Sequence, residues 1–199
     1  MKGNLGESIK VVLIITHSRR GFTDKMADAI AEGVDEVPGV KAVIRRVDNV
    51  EPSDLAEADA IAIGSPTYLN DISGELKHFL DNTYYKFVKL VLHGHEESNR
   101  LEGKPAAAFV SGLHKGYMLK KMQFSSTVLK KLEDILFSYI KMRKASEGIY
   151  LKLRSQLWRT RASSGDPYAE AKDITMTAEQ SLLCRNMGRN LALSTTIQS

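Results

Sequence analysis

Hydroxyl, aromatic and amide side chains cluster in one short stretch of this chain. Directly after an apolar run, Ala60–Ile63, come Ser65, Thr67, Tyr68 and Asn70. The apolar run has the length of a buried strand, and Gly64 and Pro66 interrupt it, so we expect a strand followed by a polar loop. Hydroxyl and amide groups around one aromatic face suit a flat ring with polar edges better than a bare anion.

A second candidate site follows the apolar run Lys10–Thr16. The segment Ser18–Thr23 contains a serine, a threonine, a glycine and the basic pair Arg19 and Arg20. A strand, a loop of this kind and a helix N-terminus form an anion site, because loop amides point inward and the helix end carries partial positive charge. Each arginine suits a phosphate but is equally compatible with a solvated loop.

The elements that must position these loops alternate along the chain. Strands are predicted at Lys10–Thr16, Val40–Asp48, Ala60–Ile63 and Pro105–Ser111, with a fifth candidate at Gly148–Leu153. Helices are predicted between the strands from helical spacing or capping signals. The first has Met26, Ile30 and Val34 on one face with Thr23 as its cap, and the second starts at Pro52–Leu55. The third has Leu76, Phe79 and Leu80 with Ser73 as its cap, and the fourth is a core-facing repeat from Val128 to Ile140. Such alternation predicts a parallel sheet with right-handed crossovers.

The final helix has its own start signal. Thr177 and Gln180 form a capping box, and we expect Leu183, Met187 and Leu191 to face the core. The single cysteine, Cys184, excludes an intrachain disulfide and reads as a small apolar filler, with a redox thiol as the alternative.

Two common phosphate-binding signatures are absent from the sequence. No Gly-x-Gly-x-x-Gly follows the first strand, and no Gly-x-x-x-x-Gly-Lys-Ser/Thr occurs. A classical dinucleotide fold and a P-loop nucleotidase are therefore disfavoured.

The loop motifs resemble those of a known superfamily. Gly64–Tyr68, Ser73–Lys77 and Phe79–Asp81 resemble the flavin-binding loop of the flavodoxin-like superfamily, and Ser18–Thr23 resembles its phosphate loop. The nearest branch is that of the FMN-binding NAD(P)H:quinone oxidoreductases of the tryptophan-repressor-binding-protein type. The chain departs from that pattern at Phe22, where many relatives have Asn, and at Leu69 and Asn70, which replace Phe-Gly.

The resemblance implies an α/β fold, a flavodoxin-like three-layer sandwich with a five-stranded parallel sheet in the order 2-1-3-4-5. It also implies FMN as the cofactor, with the phosphate on the first loop, Ser18–Thr23. The ring would lie between residues Pro66–Asn70 of the second loop and the third loop, Ser111–Tyr117, with Tyr68 against the ring face. A lysine or histidine near the ring would stabilise reduced flavin, with a surface loop as the alternative. The implied cofactor-binding residues are Ser18, Arg19, Arg20, Gly21, Phe22, Thr23, Ser65, Pro66, Thr67, Tyr68, Leu69, Asn70, Ser111, Gly112, Leu113, His114, Gly116 and Tyr117.

The function that this resemblance implies is an FMN-dependent oxidoreductase, which passes hydride from NAD(P)H through the flavin to a quinone or similar acceptor. No protein acid or base is required. An electron carrier that docks with redox partner proteins is the alternative, and a flavodoxin-like binding module without flavin is the third. A homo-oligomer is expected because relatives in this branch are often dimers or tetramers.

Bulk properties bound the remaining classes. The 199 residues suffice for one domain spanning 1–199, and 43% hydrophobic and 26% charged residues are ordinary for a globular protein. No apolar run reaches the roughly 20 residues of a membrane span, and no cleavage site follows Val11–Ile15, so a cytoplasmic location is expected. The net charge of +4 favours anionic partners slightly and counts against an acidic electron carrier.

Three further patterns have a plain and a functional interpretation. His93–Glu97 reads His-Gly-His-Glu-Glu, which suits a metal but equally a solvated loop. The basic stretch around Trp158 allows nucleic-acid binding, although a solvated or subunit-contacting segment is favoured, and no nucleic-acid partner is predicted. Pro167–Tyr168 resembles the last loop of the family, which lies near a neighbouring subunit in oligomeric members.

Overall fold

The computed structural model of the chain describes residues 8–69, 71–84, 101–114, 124–154 and 175–196. Within these ranges the strands are β1 (Lys10–Thr16), β2 (Val40–Arg46), β3 (Ala60–Pro66), β4 (Pro105–His114), β5 (Arg143–Lys144) and β6 (Ile149–Arg154). The helices are α1 (Phe22–Asp35), α2 (Pro52–Glu57), α3 (Gly74–Tyr84), α4 (Phe124–Asp134) and α5 (Ala178–Thr196), with a 3₁₀ turn at Val47–Asn49 and a π-helical turn at Ile135–Tyr139.

The strands form one parallel sheet whose path is β2-β1-β3-β4-β5. This confirms the predicted order 2-1-3-4-5 and the flavodoxin-like α/β fold. At the carboxyl edge of the sheet, Thr16 of β1 is in register with Arg46 on one side and Gly64 on the other. The loops that follow β1 and β3 therefore leave the sheet side by side.

Two segments share the fifth position of the sheet. The short β5 pairs with Pro105 and Ala106 at the start of β4, and β6 pairs with residues Phe109 to His114. Both lie on the edge of β4 opposite β3, which pairs with overlapping residues of β4. The pairing with β6 extends β4 to His114, so the prediction that the strand ends at Ser111 is wrong.

Alternate residues of β1 supply the two faces of the core. Val12 and Ile14 pack in the cluster that contains α1 and α5, whereas Leu13 and Ile15 pack in the cluster that contains α2, α3 and α4. All four are at most 1% exposed. Burial of each such side chain stabilises the fold by about 1.5–3 kcal/mol, which explains why β-branched and leucine residues occupy both faces of the central strand.

Most predicted helix starts are confirmed, and one is wrong. The Leu76 amide donates to Ser73 Oγ at 3.2 Å, and Thr177 and Gln180 exchange both bonds of the capping box. Thr23, however, does not cap α1. The N-cap is Gly21, with a φ of 76°, and Thr23 lies inside the first turn, where its hydroxyl faces β4.

Three other expectations need correction. β3 continues to Pro66 instead of ending at Ile63, because Gly64, Ser65 and Pro66 pair with residues of β4. β2 ends at Arg46, because Val47–Asn49 turns into a 3₁₀ helix instead of continuing the strand to Asp48. On α5, Met187 and Leu191 are buried as predicted, but Leu183 is 48% exposed. Cys184 occupies the inward position instead, because the contact between α1 and α5 sets the rotation of the helix.

The buried cysteine behaves as the predicted apolar filler. Cys184 is fully buried in the α1–α5 cluster, and this burial raises the pKa of its thiol to about 12. At neutral pH the sulfur is therefore a protonated thiol and a poor nucleophile.

Within the described ranges, the helices are too short or too polar to cross a membrane.

Candidate functional site

The N-terminus of α1 lies at the carboxyl edge of β1 and presents amides that have no intrahelical partner. Gly21 is the N-cap, no side chain of the described residues caps the helix, and the first helical bond runs from the Lys25 amide to the Gly21 carbonyl at 3.0 Å. The amides of Phe22, Thr23 and Asp24 thus precede the helical hydrogen-bond pattern. A helix end of this kind attracts an anion through its amides and its dipole.

The side chains of the first loop divide between the core and the site. Phe22, which stands where many relatives have Asn, is buried against the α1–α5 cluster, so its amide and not its side chain remains for a ligand. Ser18 is buried, and its carbonyl accepts a bond from Arg46 Nη2 at 3.3 Å. Arg46 Nη1 also donates to Asp24 Oδ2 at 3.3 Å. These contacts place a cation directly behind the loop.

Thr23 and Ser111 join the first turn of α1 to β4. Their hydroxyl oxygens lie 2.8 Å apart in a buried hydrogen bond, although the residues are separated by 88 positions. The carbonyl of Ser111 in turn accepts the Thr67 amide at 2.7 Å, which brings in the second loop. Thr23, Thr67 and Ser111, which the resemblance assigns to one site, are therefore held together at β4, and the hydroxyls of Thr23 and Ser111 bond to each other.

The hydroxyl of Ser65, at the end of β3, holds the second loop in place. Ser65 is fully buried, and its Oγ donates to the Pro66 carbonyl at 2.8 Å and accepts the Ser73 amide at 3.0 Å. This hydroxyl therefore anchors α3 to the end of β3 instead of facing a ligand. Thr67 differs, because its buried Oγ1 has no hydrogen-bond partner among the described residues. A buried hydroxyl without a partner is uncommon, and a ligand atom would satisfy it.

A tight turn carries the aromatic residue of this loop. Tyr68 and Asp71 exchange backbone hydrogen bonds of 3.0 and 2.9 Å, and Leu69 between them has a φ of 48° and a fully exposed side chain. Lys131 of α4 binds the Asp71 carboxylate at 2.6 Å, which holds the pKa of that carboxyl below its usual value. The turn is thereby tied to α4, and it presents Tyr68 half-buried.

A charged cluster covers Tyr68. The guanidinium carbon of Arg19 lies 5.1 Å from the centroid of the Tyr68 ring, and Arg19 Nη2 donates to Glu75 Oε1 at 3.0 Å. His17 meets the Tyr68 ring edge-on at 6.4 Å, and its Nε2 is 3.7 Å from the same Glu75 oxygen. Burial lowers the pKa of His17 although Glu75 opposes the shift, so the imidazole is neutral at pH 7.

Sequence reasoning missed three residues of this region: His17, Arg46 and Glu75. Arg46 had a usable signal, because it ends the strand whose carboxyl end is adjacent to that of β1. His17 directly follows β1, and Glu75 lies in the first turn of α3. The proximity of His17 and Glu75 to Tyr68 depends on the packing of α3, and the spacing of these residues along the sequence does not indicate it.

The third loop is described only in part. Gly112 is buried within β4, and Leu113 and His114 continue that strand in register with Leu153 and Arg154. The predicted contacts Asn70, Gly116 and Tyr117 lie outside the described residues, as do His93–Glu97, Trp158 and Pro167–Tyr168.

The geometry fits a ligand with a phosphate at one end and a flat polar ring at the other. The phosphate end matches the uncapped amides of α1 with Arg46 behind them. The ring end matches the Tyr68 ring and the Thr67 hydroxyl, which has no hydrogen-bond partner among the described residues. Burial raises the pKa of the Tyr68 phenol, so this ring is neutral at physiological pH.

A cavity of about 530 Å³ opens nearby, but beside these loops and not between them. Its walls are the 3₁₀ turn after β2 and the side of α3, including Asp48, Phe79 and Asn82, with His17 and Glu75 at the border shared with the charged cluster. No described residue of the loop after β3 lines it, and no residue of β4 does. The cavity is therefore distinct from the ring site inferred above.

Curated relatives carry two kinds of name. A protein of Geobacter sulfurreducens named NAD(P)H dehydrogenase (quinone) is 37% identical over 124 residues, which is 50% of this chain and 57% of that protein. The match thus spans little more than half of the relative's length. A protein of Aquifex aeolicus named flavodoxin is 29% identical over 183 residues, which is 91% of this chain and 84% of that protein.

Solved structures share the fold at low identity. A flavodoxin, WrbA-like protein from Agrobacterium tumefaciens superposes with a TM-score of 0.63 at 18% identity, covering 96% of this chain and 99% of that one. Flavodoxin 1 of Bacillus cereus superposes with a TM-score of 0.61 at 20% identity, covering 92% and 97%. The flavodoxin domain family itself matches residues 13–162, which run from β1 through β6 and include all three loops. With its sheet order, loop geometry and this match in agreement, the chain belongs to the flavodoxin domain family.

Proposed function

We propose that this protein is an FMN-dependent oxidoreductase that uses NAD(P)H as the electron donor and a quinone or similar molecule as the acceptor. The observation that carries the proposal is the uncapped N-terminus of α1 beside Gly21, at the carboxyl edge of the central strand. Family membership and the relatives named NAD(P)H dehydrogenase (quinone) support the same chemistry.

The chain's own residues divide the binding of FMN between them. The amides of Phe22, Thr23 and Asp24 would hold the phosphate, with Arg46 as the cation behind the loop. Thr67 would bind a polar atom of the ring, and Tyr68 would contact the ring face. FMN held there would supply the redox chemistry between NAD(P)H and the acceptor, and the residues named above would supply position and electrostatics.

The hydrogen bonds behind the loops keep this arrangement in place. The Thr23–Ser111 and Thr67–Ser111 bonds link α1 and the second loop to β4, so the phosphate end and the ring end of the site share one support. Neutral His17 beside Tyr68 adds no charge to the ring site. We propose no protein acid or base for the reaction.

The first test is the visible spectrum of the purified protein, recorded before and after addition of FMN. We expect a bound-flavin spectrum and, in Gly21→Ala, FMN affinity at least about tenfold lower, because alanine strains the φ of 76° that orients the amides. Gly39→Ala is the matched control. Gly39 has a φ of 79° and, like Gly21, open space where an added methyl group would lie, but it is in the turn before β2.

Both glycine variants should lose similar stability, and only Gly21→Ala should lose FMN. A protein that takes up no FMN at micromolar concentration would contradict the proposal, and so would equal FMN affinity in the two variants. If FMN binds, oxidation of NADH and NADPH is then measured with and without a soluble quinone. Rapid quinone-dependent oxidation is the expected result.

An electron carrier is the second candidate function. The observation that favours it is the match to the Aquifex aeolicus flavodoxin, which covers more of both chains than the match to the Geobacter sulfurreducens protein. A protein that binds FMN but oxidises neither nucleotide in the presence of quinone would favour the carrier over the enzyme.

A further inference from the structure

Arg19 extends from the first loop and covers the ring of Tyr68. The proposed function assigns this ring to contact with the flavin. Its guanidinium carbon stands 5.1 Å above the centroid of Tyr68, and its Nη2 is anchored by Glu75 Oε1 at 3.0 Å. The Arg19 side chain therefore bridges the first loop, the second loop and the first turn of α3. While it does so, the covered face of Tyr68 is closed to another flat ring.

The ion pair of Arg19 with Glu75 and its contact with the Tyr68 ring are each weak enough to be exchanged. The Arg19 side chain is 64% exposed and the Glu75 side chain is 42% exposed, so water and salt screen their ion pair. A cation–π contact at an exposed site is similarly modest. The bridge is thus a populated state of the free protein that a stronger partner can displace.

A phosphate bound at the α1 N-terminus is such a partner. Arg19 lies two residues before the Gly21 N-cap, so its side chain starts next to the amides that face the anion. Guanidinium and phosphate form charge-assisted, often bidentate hydrogen bonds, which are stronger than a screened pair with one carboxylate oxygen. A ligand that carries both a phosphate and a ring can therefore draw Arg19 off Tyr68 and use the face it uncovers.

A ligand with the same ring but no phosphate has no anionic group to which the Arg19 guanidinium can bind. Its binding breaks the contacts of Arg19 with Tyr68 and Glu75 without replacing them. Its apparent affinity is therefore its intrinsic affinity multiplied by the fraction of molecules in which Tyr68 is uncovered. We propose that Arg19 is a specificity-determining residue, which makes the site select a phosphorylated flavin over the same ring system without phosphate. This inference rests on the proposed function.

The test compares FMN with riboflavin, which has the ring and ribityl chain without the phosphate. Dissociation constants for both are measured by quenching of flavin fluorescence in the full-length protein and in Arg19→Gln. We expect Arg19→Gln to bind riboflavin more tightly and FMN no more tightly than the wild type, so that the preference for FMN falls about tenfold. Arg19 is mostly exposed, so this variant should fold normally.

Glu75→Gln tests the anchor separately. It keeps Arg19 but weakens its hold, so riboflavin and FMN should both bind more tightly. Riboflavin is the informative probe here because it is uncharged, and removal of a carboxylate cannot attract it directly. Asp81→Asn is the matched control, since it removes another exposed carboxylate from α3, one that pairs locally with Lys77, and it should change neither affinity.

The outcomes separate this inference from the function on which it rests. If the wild type binds neither FMN nor riboflavin, the proposed function and the inference are both overturned. If flavins bind but Arg19→Gln leaves the ratio of the two dissociation constants unchanged, or weakens both affinities equally, the inference alone is overturned.

Discussion

Individual hydroxyl groups in this site have different roles that depend on their partners. Ser65 uses its Oγ to anchor α3, and Thr23 and Ser111 bond to each other, so these three stabilise the loops. Thr67 alone among the described residues of the second loop keeps a buried hydroxyl without a partner. Some of the residues that the resemblance assigns to the cofactor therefore support the loops, and a smaller number remain to contact a ligand.

His17 gives a prediction at the residue scale. Burial lowers its pKa below 6.5, reinforced by Arg46 and Arg19 and opposed by Glu75 and Asp48. Between the lowered native pKa and 6.5 the unfolded chain binds more protons, so the free energy of unfolding should fall as the pH drops below 6.5. In His17→Gln this loss should be smaller.

Urea unfolding at about pH 7.5 and about pH 5.5 checks the expectation for both proteins. The quantity compared is the fall in stability of each protein between the two pH values, since carboxyl groups away from His17 titrate equally in both chains. An identical fall in stability for wild type and His17→Gln would show that His17 is not kept neutral by the fold.

At the scale of elements, the contact between α1 and α5 is unusually close. A Cβ on Gly188 would overlap the backbone carbonyl of Ile30, and a Cβ on Gly33 would overlap that of Arg185. Glu36 of α1 binds both Arg185 and Arg189 of α5, and these bonds hold the pKa of its carboxyl below the usual value. The two glycines thus allow the helices to touch, and the ion pairs line one side of the contact.

Gly188→Ala should destabilise the protein by about 1–3 kcal/mol, because the methyl group forces the helices apart. This loss exceeds the gain of up to about 1 kcal/mol that alanine brings to a helix interior. Asn190→Ala on the exposed face of α5 is the control and should be neutral or slightly stabilising. Free energies of unfolding in urea measure both, and a Gly188→Ala protein as stable as the wild type would rule out the close contact.

At the scale of the whole molecule, the strand order assembles the site. β3 lies between β1 and β4, so the carboxyl ends of the three strands, Thr16, Pro66 and His114, lie at the same edge of the sheet although they are far apart in the chain. Neighbouring strands are about 4.8 Å apart, which sets the loops at the spacing of one small ligand. A ligand that contacts all three loops should therefore stabilise the fold as a unit.

FMN should raise the midpoint of thermal unfolding. At about 100 times its dissociation constant a ligand adds about 2.7 kcal/mol to the stability of the folded state. For a chain of this size each kcal/mol corresponds to about 2–4 °C. Thermal unfolding followed by circular dichroism, with and without FMN, should show a shift that is much smaller in Gly21→Ala, and no shift in the wild type would contradict flavin binding.

The local features of the chain were determined by sequence alone. β1 has its predicted bounds, β3 starts where its apolar run starts, and Ser73 and the Thr177–Gln180 box cap α3 and α5 as predicted. Strand patterns, caps and turns depend on residues within a few positions of each other, so a single chain carries their signal. The sheet order followed from the resemblance of two loops, which the structure confirms.

Contacts between distant residues were decided only by tertiary structure. Gly21 rather than Thr23 caps α1, β4 continues past Ser111, and Cys184 rather than Leu183 faces inward. Each outcome depends on a partner far along the chain: β4 for the Thr23 hydroxyl, β6 for the strand extension and α1 for the rotation of α5. The same holds for Arg19 over Tyr68, because no spacing in the sequence records where two loops meet.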